Sequence, residues 1–133
     1  MVKVSPFHAL IPHLDFIAKV PTKTYSQYSK KEIQLEIKNN PYSFLNIISQ
    51  KDTLDQKSRF IKIKQKFNEF KDKKILVNNH SKSIYIYRQT NDQYSYTGLI
   101  CGISLNDYGN NKIKRHEKTI QKREILFAEY LSI

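Results

Sequence analysis

The chain has one cysteine, three glycines, no tryptophan and no long apolar run. Each shortage closes off a class of protein. A single thiol, Cys101, cannot build a disulfide framework, so the fold has to rest on its core. Lys or Asn interrupts every hydrophobic stretch well short of the roughly 20 residues that span a bilayer, so no membrane partner is expected. The opening Met1-Val2-Lys3-Val4-Ser5-Pro6 lacks the apolar core of a signal peptide, and the expected compartment is cytoplasmic. There is no Walker loop, no Ser-His-Asp signature and no paired cysteine. His8, His13, His80 and His116 have no ligand spacing among themselves, so no metal site is expected within the chain.

Acidic residues are also scarce, with 12 against 23 basic ones and a net charge of +11. A field of that sign attracts nucleic acid, an anionic membrane or phosphate-bearing ligands. Guanidinium, the group best suited to bidentate recognition of phosphate or guanine, comes only from Arg59, Arg88, Arg115 and Arg123. Lys, Asn, Ile and Tyr are abundant, as an AT-rich coding bias would make them. The charge therefore reads chiefly as a solvated Lys surface, and nucleic acid is the less favoured partner.

What is present is enough for a folded protein. Hydrophobic residues make up 39% and aromatics 12% of 133 positions, which fits one domain over residues 1–133 with a modest core. The pattern predicts an α+β fold, a mixed or antiparallel sheet flanked by helices. Met1 to Pro12 reads as extended, and Leu14 to Lys19 as a short helix. Ser29 with Glu32 forms a capping box ahead of a helix that fades at Asn39-Asn40. Phe44 to Ser49 reads as a buried strand. Asp55 to Lys74 is a helix with Phe60, Ile63, Phe67 and Phe70 on one face. Ser83 to Gln89 and Tyr94 to Ser104 read as a hairpin around Asn91-Asp92-Gln93, with both faces of Ile84-Tyr85-Ile86-Tyr87 apolar or aromatic and Cys101 buried within its second strand. Leu105 to Asn111 is a helical turn or loop. A last helix from Thr119 carries Leu126, Phe127, Tyr130 and Leu131. It is still apolar where the chain stops at Ile133, which reads as a cut edge able to self-associate.

Three segments put polar groups beside core residues. Tyr42 and Ser43, at a helix exit, can either hold a ligand or tie off the turn. Arg88 stands near a strand end and can pair a carboxylate or phosphate. Lys112 to Thr119 offers cations from Lys114 and Arg115, an imidazole from His116 and a carboxylate from Glu117. Thr119 lies where backbone N–H groups at a helix start favour anions. Together these residues point to a pocket for a small anionic ligand.

The segments Asn40-Pro41-Tyr42-Ser43-Phe44-Leu45, Ile84-Tyr85-Ile86-Tyr87-Arg88-Gln89-Thr90, Tyr96-Thr97-Gly98-Leu99 and Ile113-Lys114-Arg115-His116-Glu117-Lys118-Thr119 occur in order. With the opening Pro6-Phe7-His8-Ala9-Leu10-Ile11-Pro12, they resemble the start of a bacterial family known as domain of unknown function ten-fifteen. The resemblance implies kinship with free-serine kinases and with the fold of ParB proteins and sulfiredoxin, here as an incomplete domain. It implies that the chain is the N-terminal portion of a longer protein that phosphorylates L-serine, inactive alone, using magnesium and a phosphoryl donor (ATP, ADP or pyrophosphate) in the intact protein. Glu117 would then act as general base, while Lys114, Arg115, His116 and Arg88 neutralise phosphoryl charge. The alternative is a nucleic-acid-binding or regulatory module of ParB type. The Asp-Gly-His-His-Arg motif of such kinases is absent. The family's Pro-Tyr-Asp triplet is replaced by Val20-Pro21-Thr22-Lys23-Thr24-Tyr25-Ser26, without the acid.

Overall fold

Ser29 caps the first helix as its spacing predicts. Its hydroxyl accepts from the Glu32 N–H at 3.3 Å, and the Glu32 carboxylate accepts from the Ser29 N–H at 2.7 Å, starting α1 (Lys30–Asn39). The computed structural model describes residues 1–49, 55–114 and 120–133. Within them the fold is α+β, with five helices and three two-stranded sheets. Two compact units divide the chain. One comprises Met1–Leu10 and Asn78–Ile120, the other Ile11–Val77 and Gln121–Ile133.

The second unit holds the core. Asp55 accepts from the Ser58 N–H at 3.0 Å and caps α3 (Gln56–Asp72), which buries Phe60, Ile63 and Phe70 on the face that the periodicity predicts. Phe67 is only half-buried. The helix ends with Lys74 at φ 55°, in the left-handed region. There the Ile75 N–H reaches the Phe70 carbonyl and the Lys74 N–H reaches the Lys71 carbonyl, both at 2.9 Å. That pair of bonds is a Schellman ending, with lysine where glycine is usual. The strand expected over Phe44–Ser49 is instead a helical turn, α2 (Leu45–Ile48), and it buries Leu45 and Ile47 completely. A short apolar run cannot by itself distinguish the two, because burial on all sides erases both periods. Val20, Ile33, Ile75 and Leu76 complete the core. In α5 (Gln121–Leu131) Tyr130 packs edge-on against Phe60 at 5.4 Å, while Phe127 and Leu131 stay exposed. Strands β2 (Leu10–Pro12) and β3 (Leu76–Asn78) form one of the small sheets.

The first unit is built differently. Strand β1 (Val4–Ser5) pairs antiparallel with β6 (Gly102–Ile103), where a Cβ at Gly102 would come within 3.2 Å of the Ser5 carbonyl oxygen. The Asp107 carboxylate, on α4 (Leu105–Gly109), accepts from the Lys3 N–H at 3.0 Å and from Lys112 Nζ at 2.9 Å. Phe7 sits 5.3 Å from Tyr85, whose hydroxyl accepts from Asn79 Nδ2 at 3.0 Å. No apolar side chain in this unit is fully buried among the described residues. The hairpin of β4 (Tyr85–Thr90) and β5 (Ser95–Ile100) forms as expected, but its faces are not covered. Ile86 is 73% exposed and Leu99 68%. Cys101, expected to be buried, is only half-buried, in the link between β5 and β6.

Candidate anion-binding site

The hairpin turn is set by Asn91. Its side-chain oxygen accepts from the N–H groups of Gln93 at 3.0 Å and Tyr94 at 2.7 Å, the local bonding that makes Asn a turn former. The register then follows: Tyr87 faces Gly98, Arg88 faces Thr97 and Thr90 faces Ser95. Alternation puts Ile86, Arg88, Thr90, Ser95, Thr97 and Leu99 on one side of the ribbon. On that side the Thr90 and Ser95 hydroxyls lie 3.3 Å apart. Arg88 is exposed, and among the described residues no carboxylate pairs with it. A guanidinium on the same side as three hydroxyls can hold an oxyanion through charge-assisted hydrogen bonds.

Lys114 belongs to the same unit as Arg88 and is exposed. Arg115, His116, Glu117 and Thr119 lie outside the described residues. Tyr42 and Ser43 belong to the other unit. There Ser43 is fully buried, and its hydroxyl accepts from the Leu45 N–H at 3.4 Å. Asn40 closes the same turn. Its Nδ2 donates to the Lys19 carbonyl at 2.7 Å and to Glu36 Oε1 at 3.3 Å, and its Oδ1 accepts from the Tyr42 N–H at 3.2 Å. The Tyr42 ring lies 4.7 Å from Phe16, and Lys19 Nζ sits 5.4 Å above it. Ser43 thus ties off the turn and offers nothing to a ligand, while half-buried Tyr42 belongs to a cation-and-ring cluster.

Sequence reasoning overlooked Thr97, Ser95, Phe16 and Lys19. The first two were recoverable, because the turn at Asn91 dictates their pairing with Arg88 and Thr90. Phe16 and Lys19 meet Tyr42 only through tertiary folding, which no local pattern signals. A cavity of about 220 Å³ beside α1 is lined by Lys23, Tyr28, Glu32 and Glu36, but both carboxylates already serve the helix ends. Among the described residues no group of three or more His, Cys, Asp or Glu is placed to hold a metal ion. No helix among them is long and apolar enough to cross a membrane.

A family model described as a protein of unknown function (DUF1015) matches residues 4–133. The chain belongs to that family. No curated protein and no solved structure matches it. The DUF1015 match runs from β1 through α5, so the Arg88 hairpin, the Tyr42 turn and the Lys114–Thr119 segment all lie within it.

Proposed function

We propose that this DUF1015 chain supplies the phosphate-holding face of a serine-kinase-like protein, with Arg88 as the cation of that face. The observation that carries the reading is Arg88 itself, exposed on β4 without an ion-pair partner among the described residues, with Thr97, Thr90 and Ser95 on its side of the ribbon. Phosphoryl transfer depends mainly on positioning and on neutralising charge, and a guanidinium with hydroxyls on the same side of the ribbon suits the second of these needs. The kinship of the family with free-serine kinases supplies the other roles, placed on the Ile113–Thr119 segment. Lys114 and Arg115 add positive charge, and Thr119 a hydroxyl. Glu117 takes the proton of the L-serine hydroxyl as that oxygen bonds to the donor's terminal phosphorus, while the bond from that phosphorus to the rest of the donor breaks and the shortened phosphate or nucleotide leaves with the electron pair; His116 adds positive charge. Ser43 is left out, because its hydroxyl is sealed in the turn.

Pyrophosphate titrated into the chain tests the face directly by calorimetry. Arg88→Ala is expected to weaken binding about tenfold, consistent with the loss of one charge-assisted contact. In the intact protein, Glu117→Gln and His116→Ala are expected to abolish transfer of phosphate to L-serine. Unchanged transfer in both variants would sink the assigned roles.

A further inference from the structure

We infer that the other side of the β4–β5 ribbon docks on the same side of a second copy of this chain. That side carries Tyr85, packed by Phe7, and beyond it the open stretch of Tyr87, Gln89, Tyr96, Gly98 and Ile100, with Tyr94 leading into it, and it bears no charged residue. In a chain of net charge +11, residues 84–100 contain one cation, Arg88, and one anion, Asp92. A polyanion would find no cation to grip on this side, whereas a second copy meets no like charge there. Tyr87, Tyr94 and Tyr96 are 55%, 58% and 65% exposed, and Ile100 48%. A two-stranded ribbon with uncovered faces is marginal in water, and this unit has no buried apolar side chain among its described residues to hold it.

Gly98 indicates how the two copies meet. A Cβ added there would touch nothing within 4 Å, so neither Tyr87 opposite nor Tyr96 beside it folds over the bare backbone. The face therefore offers both a hole at Gly98 and an exposed ring at Tyr96, two residues away. Two-fold packing sets each Tyr96 ring on the partner's Gly98, a contact satisfied twice over, as an isologous interface requires. Aromatic residues bury ~150–250 Å² when covered, so the side offers on the order of 400–500 Å² per copy. That falls near the lower limit of specific interfaces, and the dimer is weak and reversible.

Sedimentation velocity of the chain from low micromolar to millimolar concentration is expected to show a rising dimer fraction. Gly98→Val fills the hole while suiting the strand, so it is expected to keep the melting temperature and weaken dimerisation by about tenfold or more. Leu99→Lys, on the opposite side, is expected to leave the dimer unchanged. A monomer at every concentration overturns the inference. So does a dimer that survives Gly98→Val but is lost with Leu99→Lys, or with Leu131→Ser on α5. The inference does not depend on phosphate binding, since Arg88 occupies the opposite side.

Discussion

Asn40 joins a helix end, a loop and a turn through three side-chain hydrogen bonds, to Lys19, Glu36 and Tyr42. Asn40→Ala would strand part-buried partners, and the expected loss is ~1–3 kcal/mol, measured by urea unfolding. Glu69 is bound by Lys66 at 2.7 Å and Lys73 at 2.5 Å, and these two ammonium groups push its carboxyl down to about 2 from 4.5. Glu32, Asp55 and Asp107 are lowered as well, chiefly by hydrogen bonds from Ser29, from Ser58 and from the Lys3 backbone. A carboxyl whose folded value is depressed contributes its stability above the unfolded value and loses it as the pH falls through the folded one. The melting temperature is therefore expected to hold above about pH 5 and to fall from pH 4.5 toward 2. Glu69→Gln should make that fall shallower; an identical pH profile would remove Glu69 from the account. At this scale legibility depended on distance along the chain. The Ser29–Glu32 box spans three residues and could be read directly. The Asn40–Lys19 bond spans 21, and nothing local announces it.

At the scale of elements, α3 shows what periodicity carries and what it leaves out. Its apolar face follows from spacing alone. Its Schellman ending at Lys74 does not, because lysine gives no hint of a left-handed residue. Lys74→Gly removes the Cβ strain but frees the unfolded chain, so a net gain of up to ~1 kcal/mol is expected from thermal melts. A loss there would contradict the reading of the helix end. Phe70 is 2% exposed, and Phe70→Ala is expected to cost ~3–5 kcal/mol by the same measurement. The α2 turn was misread because Phe44 to Ser49 is buried on several sides. The β4–β5 ribbon is legible as a hairpin, whereas its exposure is not: apolar residues on both faces signal burial, yet Ile86, Tyr87, Tyr96 and Leu99 are exposed.

Across the molecule, the buried apolar side chains among the described residues all belong to the unit of Ile11–Val77 and Gln121–Ile133. The unit that carries Arg88 depends on backbone pairing, the Asp107 clasp and the Phe7–Tyr85 contact. Local stability follows buried apolar contact, so hydrogen exchange is expected to be slow in α3 and fast in β4 and β5 of the monomer. The reverse order would refute this division. The net charge of +11 is expected to give loose binding to any duplex, lost steeply as salt rises and indifferent to base sequence. The family and the α+β class could be read from ordered motifs and element signals. The site could be read in part: Arg88 stands out as a scarce guanidinium, and Thr97 and Ser95 join its side only once the turn at Asn91 has fixed the strand register. The most direct test is an NMR titration of the chain with pyrophosphate. The account expects the Arg88 Nε–H and the amides of Thr90 and Thr97 to shift and saturate together. Shifts confined to the exposed lysines of α3, or none at all, would contradict it.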